Sequence, residues 1–234
     1  MGAVYKRELR SYLVTPAGYV FLAIFYAVSG YYFFGYNLYG QSSDFGILFS
    51  MLYSFAVFLV PILTMKLFSE ERRNRTDQQL LTAPVSLGAL VGGKYLASMT
   101  LYLAAQAVTL VYLAIVSVLG EVDLPVFFGN FLGLFLVGMA ICALGMFISS
   151  LTESQVIAAV GTLGAGMLFM MLGSIGEMLG GGLLGTVLDY LTLSSHSGDF
   201  SLGVLNLSDL VFFLSFAGLF FFLTMRVLEK RRWS

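Results

Sequence analysis

Charged residues are scarce in this chain. They make up 11% of its 234 residues, whereas an ordinary soluble domain carries about 25%. Hydrophobic residues make up 59%, which is more apolar surface than so few charges can shield from water. This composition argues against a soluble enzyme and against a DNA-binding protein. An aromatic content of 15% argues against disorder, so an integral membrane protein of several helices remains.

Residues that build metal sites and nucleophilic sites are also scarce. The single cysteine, Cys142, lies in an apolar run, which excludes an intramolecular disulfide and a cysteine-based metal cluster. The single histidine, His196, has no catalytic motif around it, and we expect an exposed loop residue. Residues 88–94 fit the phosphate-binding pattern G-x-x-x-x-G-K, but Tyr95 follows where Ser or Thr must reach Mg²⁺. We therefore predict no catalytic residue, no metal site and no cofactor bound by this chain.

Six apolar runs come close to the roughly 20 residues that a spanning helix needs. They lie at about residues 18–39, 47–67, 95–119, 126–148, 155–172 and 210–228. Asp123 and Asp209 directly precede the fourth and sixth runs, where a carboxylate can cap a helix start. The sequence predicts an all-α integral membrane fold with six transmembrane helices. No ionisable side chain lies deep within a run, which argues against a proton-driven carrier.

All basic residues fall on one side of this six-helix topology. They precede the first run, lie between the second and third, or follow from the end of the sixth: Lys6, Arg7, Arg10, Lys66, Arg72, Arg73, Arg75, Lys94, Arg226, Lys230, Arg231 and Arg232. The loops on the opposite side contain acids and no basic residue. Because basic loops stay in the cytoplasm, we predict that both termini are cytoplasmic.

The connection between the second and third runs contains signals for a short helix. Residues 76–79 form a capping box, Leu80 and Leu81 follow, and Pro84 ends the segment. The residues alone leave two interpretations open. The helix lies idle on the lipid surface with its arginines near anionic headgroups, or its apolar face docks into a groove on a soluble partner.

Small and polar residues within the runs suggest close helix packing. Gly129 with Gly133, and Gly161 with Ala165, are pairs of small residues spaced four apart, which let helices approach closely. We expect contacts within one subunit, with subunit pairing as the alternative. Gln106 is expected to bond to a neighbouring helix rather than to face a substrate path.

Three stretches of the chain carry a resemblance to a known family. The first stretch is residues 67–73, LFSEERR, followed by Thr76, Leu80-Leu81, Pro84-Val85-Ser86 and Gly93-Lys94. The second is the N-terminal run Lys6-Arg7-Glu8-Leu9-Arg10-Ser11-Tyr12, which precedes Pro16. The third is residues 226–233, RVLEKRRW. This set resembles ABC-2-type permeases, the membrane subunits of type-2 ABC transporters, and is most similar to the gliding-motility-type subfamily. Arg75-Thr76 stands where that family often has Gly-Thr.

The resemblance implies that residues 1–234 form one ABC-2-type transmembrane domain. Residues 1–16 would form an amphipathic elbow helix, and residues 69–93 a cytoplasmic coupling loop. The residues implied to couple to an ATPase are Glu70, Glu71, Arg72, Arg73, Thr76, Gln79, Leu80, Leu81 and Pro84, and those of the elbow are Lys6, Arg7, Glu8 and Arg10.

The glycine-rich segment 172–209 is implied to be an extracytoplasmic gate. It contains Gly176, Glu177, Gly180, Gly181 and Gly182 among apolar residues, and each glycine inside a helix costs about 1 kcal/mol. The residues fit either a flexible surface loop or a pair of short re-entrant helices, which similar permeases have as an outer gate. We favour the re-entrant pair because the segment is apolar.

The function implied is that of a permease subunit that moves a substrate, in the export direction, across the cytoplasmic (inner) membrane. Its partners would be cytoplasmic ABC ATPase subunits, a second copy or sister permease, membrane lipid and, as an option, an extracytoplasmic auxiliary subunit, but no nucleic acid. The chain would not be an enzyme, because ATP and Mg²⁺ bind in the partner ATPase. The alternative is a non-transporting membrane scaffold that anchors a soluble or extracytoplasmic partner.

Overall fold

A computed structural model describes residues 1–76, 86–178, 182–204 and 206–232. These residues form helices without a strand: α1 Gly2–Val14, α2 Pro16–Tyr32 with a π-helix Phe33–Tyr39, α3 Gly46–Thr64, α4 Ser69–Arg73, α5 Leu87–Gln106, α6 Val108–Leu119, α7 Leu124–Leu151, α8 Gln155–Met178, α9 Gly182–Tyr190, α10 Leu193–Ser201 and α11 Leu207–Arg232. The predicted all-α class is confirmed for the described part of the chain.

Six helical stretches are long and apolar enough to cross a membrane, as the sequence predicts. They are α2 with its π-helix, α3 continuing to α4, α5 with α6, α7, α8 and α11. The third stretch begins at Leu87, where Ser86 Oγ caps the helix by accepting from Ala89 N at 3.3 Å. Residues 87–93 of the predicted coupling loop are therefore the first turns of α5.

The central helix of the bundle is α7. Two thirds of its apolar stretch (67%) is buried, against 22% in α8 and in α11, and it packs against α3, α5, α8, α10 and α11. Glycines make this packing close: a Cβ atom on Gly129 would lie 2.6 Å from the carbonyl oxygen of Phe200 in α10. The small pair Gly129 and Gly133 thus serves contacts within the subunit, as expected. Gln106 also bonds to a neighbouring helix, because its Nε2 donates to Phe131 O of α7 at 2.5 Å.

The charged side chains divide between the two ends of the bundle. We call the end formed by α1, α4, the start of α5 and the end of α11 the basic end, because every lysine and arginine lies there. The start of α7, α9, α10 and the start of α11 form the acidic end. The short helices α1, α4, α9 and α10 are held on the spans by polar contacts at these two ends.

Candidate functional site

The five-residue helix α4 depends on α7 for its position, since isolated helices of this length are not stable in water. Ser149, near the end of α7, accepts hydrogen bonds from Phe68 N at 3.1 Å and from Ser69 N at 3.2 Å. The same hydroxyl donates to Met65 O at 3.0 Å. One side chain of α7 thus caps α4 and satisfies backbone groups that lack a partner within the helix.

Arg72 connects α4 to two further helix ends. Its Nη1 donates to Leu151 O at 2.7 Å, and its Nε lies 2.9 Å from Glu153 Oε1. Leu151 is the last residue of α7, and the carbonyl groups at a helix C-terminus attract positive charge. Glu153 lies in the short connection between α7 and α8, two residues before α8 begins, so Arg72 joins α4 to the end of α7 and to the start of α8.

Lys94, in the second turn of α5, is a buried lysine at the centre of an ion network. Its side chain is 2% exposed, and its Nζ lies 2.9 Å from Glu71 Oε1 and 3.2 Å from Glu8 Oε1. It also donates hydrogen bonds to Leu67 O at 2.7 Å and to Glu8 Oε1, so the buried ammonium group has both a neutral and a charged acceptor. Arg7 completes the network at 2.6 Å from Glu8 and 3.0 Å from Glu71. Two cations therefore face two carboxylates.

The surroundings of Glu8 and Arg7 favour the charged form of each side chain. Burial alone would raise the pKa of the Glu8 carboxyl group, but Lys94 and Arg7 outweigh burial and hold that pKa below its ordinary value of 4.5. Burial also acts to lower the pKa of Arg7, but the carboxylates of Glu8 and Glu71 raise it. A buried ion pair of this kind is costly to break, because removal of one partner leaves the other charge uncompensated.

The network joins elements that are distant in sequence, because Glu8 lies on α1, Glu71 on α4 and Lys94 on α5. Helix α1 is also seated on α5, where a Cβ atom on Gly93 would lie 3.0 Å from Val4. A cleft of about 270 Å³ opens beside the network and is lined by Glu70, Lys66, Asn74 and Thr76 among others.

The structure brings together three of the residues predicted from the sequence, Arg7, Glu8 and Glu71, and places Arg72 beside them on α4. Glu70 lines the cleft, and Thr76 Oγ1 donates to Glu71 O at 3.2 Å. Lys6, Arg10 and Arg73 are exposed. The other predicted coupling residues, Gln79, Leu80, Leu81 and Pro84, lie outside the described residues.

Sequence reasoning missed Lys94 and Ser149. From the sequence, Lys94 is the end of a rejected phosphate-binding pattern, one of the basic residues and part of the family-like pair Gly93-Lys94, but not a predicted site residue. The available signal was its position next to an apolar run, because a lysine there requires a partner. Arg75 adds a local detail: its φ of +54° lies in the left-handed region that favours glycine, which fits the Gly-Thr that the resembled family often has at this point.

At the acidic end, two short helices, α9 and α10, lie within the predicted gate segment. Gly176 of α8 packs against α9, since a Cβ atom there would lie 3.1 Å from Gly185 Cα. Gly182 begins α9 with a φ of +72°, and Glu177 is exposed. Gly180 and Gly181 lie outside the described residues.

The prediction that His196 is an exposed loop residue is wrong. It is 9% exposed, and its Nδ1 lies 2.6 Å from Asp209 Oδ1. The reason is that Leu193 and Phe200, three residues before and four after, are fully buried and turn the same face of α10 into the protein. Asp209 is not the cap of its helix either, since α11 begins at Leu207 and Asp209 lies in its first turn.

These features define a class, that of multi-pass helical membrane proteins with short helices fastened to the spans at both ends. The chain matches the model of a family described as "ABC-2 family transporter protein" over residues 25–195, well over half its length. The chain therefore belongs to the ABC-2 family of transporter proteins, which are membrane subunits, generally not catalytic, that work with ABC ATPases. Glu71 and Lys94 lie within the matched region, and Glu8 and Asp209 lie outside it. No curated protein matches the chain significantly.

Proposed function

We propose that this chain is the permease subunit of an ATP-driven exporter, of the gliding-motility type, whose ATP and Mg²⁺ are bound by separate ABC ATPase subunits. The ion network carries the proposal. Glu71 links α4 to α1 and α5, and Arg72 links α4 to α7 and α8. A displacement of α4 by an ATPase would therefore reach four helices through buried or bonded side chains.

The orientation that we propose follows from the charges. The basic end faces the cytoplasm, because all lysines and arginines lie there and basic segments are retained on that side. The membrane is then the cytoplasmic (inner) membrane. Helix α1 acts as the elbow, with the exposed Lys6 and Arg10 available to anionic headgroups. Residues 69–93 provide the coupling segment that contacts the ATPase.

In the same proposal, α9 and α10 are the extracytoplasmic gate and enter the membrane as a re-entrant pair. Support comes from apolar side chains of α9 that the rest of the chain leaves uncovered, Leu183 at 89% exposed and Val187 at 56%. Short helices with such surfaces are tolerated at membrane depth where lipid or a second protein covers them.

We further propose that two permeases pair, either as two copies or with a sister subunit, and that substrate passes between them. Exposed apolar side chains on α2 and α8, such as Tyr19 and Val160, provide surface for a partner or for lipid. The alternative, a static scaffold, has no use for a helix linked to four others. The described linkage of α4 therefore favours the exporter.

The test starts from the full chain, tagged and purified from its native membrane, and asks whether an ATPase with vanadate-sensitive activity co-purifies. In the Glu71→Gln variant, the effect of the permease on that ATPase activity should fall by about fivefold or more, which is the usual range for coupled sites. The double change Leu80→Asp, Leu81→Asp should detach the ATPase. Glu229→Gln is the matched control, because it breaks an exposed ion pair with Arg226 at the same end.

Two results would overturn the proposal. One is the absence of any ATPase from the purified complex. The other is a bound ATPase whose activity and retention are the same in the Glu71 and Leu80/Leu81 variants as in the native chain. Either result would favour the scaffold.

A further inference from the structure

The imidazole of His196 lies between two hydrogen-bond acceptors. Its Nε2 is 3.1 Å from the carbonyl oxygen of Tyr190, which can only accept, and its Nδ1 is 2.6 Å from Asp209 Oδ1. A neutral imidazole has one N–H and cannot satisfy both contacts unless Asp209 carries the second proton. The geometry thus requires two protons on the pair, either as imidazolium with carboxylate or as imidazole with carboxylic acid.

Loss of one of these protons turns one contact from attractive to repulsive. If the remaining N–H points to Tyr190, the Nδ1 lone pair faces a carboxylate at 2.6 Å. If it points to Asp209, the Nε2 lone pair faces a carbonyl oxygen. The geometry of the pair therefore fits the state in which His196 and Asp209 together hold two protons.

The surroundings favour the extra proton. The ring of Phe212 is stacked on His196 with centroids 3.9 Å apart, and an aromatic face attracts a cation. Asp209 Oδ2 is buried and has no hydrogen-bond partner among the described residues, so its charge depends on His196 for compensation. The titratable groups at this end, on α10 and on the elements packed against it, are all acidic: Asp123, Glu177, Asp189, Tyr190, Asp199 and Asp209.

His196 also connects three elements. It lies on α10, bonds to Tyr190 at the end of α9 and pairs with Asp209 in the first turn of α11. Among the described side chains of α9 none is fully buried, and the His196 contact adds to the packing of Gly185 on Gly176 of α8.

We propose that the His196–Asp209 pair is a proton-operated latch that fastens α9 and α10 to α11. It is closed when the pair holds two protons and is weakened when it loses one, so the segment is held more firmly at acidic than at alkaline pH. That the latch faces the extracytoplasmic side, and so responds to external pH, rests on the proposed function.

The test uses the fact that His196 is the only histidine in the chain. Nitrogen-15 labelling of histidine in the full chain, reconstituted in lipid nanodiscs, gives a single imidazole to follow by NMR between about pH 5 and 8. We expect both ring nitrogens to be protonated at the acidic limit and one to be lost as the pH rises. Hydrogen exchange of the amides in α10 should become about tenfold faster over the same step, after correction for intrinsic rates.

Two variants sharpen the result. His196→Gln should remove the pH step in exchange, whereas Asp199→Asn, which removes an acid from the same helix without touching the pair, should retain it. Ring-nitrogen NMR shifts that stay constant over the whole range, showing that the pair neither gains nor loses a proton, or a protonation step without a change in exchange, would overturn the latch. Both measurements on the native chain decide this even where His196→Gln fails to fold. None of them requires an ATPase, so they fail or succeed independently of the exporter proposal.

Discussion

Each end of the bundle fastens short helices to the spans through a buried ionisable contact, but the two contacts differ in chemistry. At the basic end, Lys94 binds Glu8 and Glu71, and lysine–glutamate pairs stay charged throughout the physiological pH range. At the acidic end, His196 binds Asp209, and histidine is the side chain that titrates in that range. The first contact is permanent and the second is adjustable.

This difference matches the two tasks that we propose. The end that would receive the ATPase needs a connection that transmits displacement under all conditions. The end that would open for substrate needs a connection that can be released.

The largest effect is expected at Lys94. Lys94→Met removes the buried cation and leaves two carboxylates, Glu8 and Glu71, with Arg7 as the one cation between them, so one negative charge is uncompensated and the free energy of unfolding should fall by about 3–5 kcal/mol. Reversible unfolding of the full chain in mixed micelles measures this. Adding Glu8→Gln and Glu71→Gln to the same variant should restore much of the loss. A Lys94→Met protein as stable as the native chain would show that the network does not hold the basic end.

A smaller loss is expected at the seat of α10. Gly129→Ala places a Cβ atom 2.6 Å from Phe200 O and 2.8 Å from Gly203 Cα, and backbone atoms cannot move aside easily. The expected destabilisation is about 1–3 kcal/mol, confined to the acidic end. Gly164→Ala in α8 is the control, because nothing lies within 4 Å of its Cβ, and it should gain up to about 1 kcal/mol. Faster hydrogen exchange in α1 as well as α10 would mean that the ends are not independent.

Next in size is the cap of α4. Ser149→Ala leaves Phe68 N and Ser69 N without their acceptor and should cost about 1–2 kcal/mol, with faster exchange in α4. Ser150→Ala is a matched control, since that hydroxyl donates only to Phe147 O of its own helix. Its cost should be smaller, about 0.5 kcal/mol, because no backbone N–H loses its acceptor. Equal costs for the two serines would show that α7 does not position α4.

The contrast between the two ends also shows what the sequence can predict. Length and hydropathy were enough for the six spans, because a spanning helix is defined by local composition. Glu71 and Glu8 belong to two separate motifs that the sequence shows. Their contact with Lys94 cannot be predicted from those motifs, because it joins residues 23 and 86 positions apart and depends on how α1 packs on α5.

The acidic end was harder to predict for a different reason. His196 lies among serines and glycine, a local composition typical of an exposed loop. Leu193, His196 and Phe200 are spaced three and four residues apart, which places them on one face of a helix. This spacing is the one sequence signal that the histidine lies between two apolar side chains. The partner, Asp209, had a satisfactory local explanation as a helix cap. The local sequence therefore suggests a helix cap, whereas a tertiary contact with His196 determines the role of Asp209.

The smallest effect is the most direct test of the comparison, because the two ends should respond to pH with opposite signs. The folded-state pKa of Glu8 lies below its ordinary value of 4.5, so its contribution to stability is fully present above that value and is lost as the pH falls through the lower one. The His196–Asp209 pair gains a proton on acidification and is strengthened. The step at Glu8 is small, because Lys94 keeps its contact with Glu71.

Hydrogen exchange of the full chain over a series of pH values, followed separately in α1 and α10, measures both responses. Between about pH 8 and 5, exchange in α10 should slow while that in α1 stays constant after correction for intrinsic rates. At more acidic pH, exchange in α1 should become faster. Glu8→Gln should abolish the second step and leave the first unchanged, because it removes only the titration at the basic end. If both helices loosen together on acidification, the acidic end is held by ordinary carboxylate contacts, and the distinction between a permanent and an adjustable fastening is wrong.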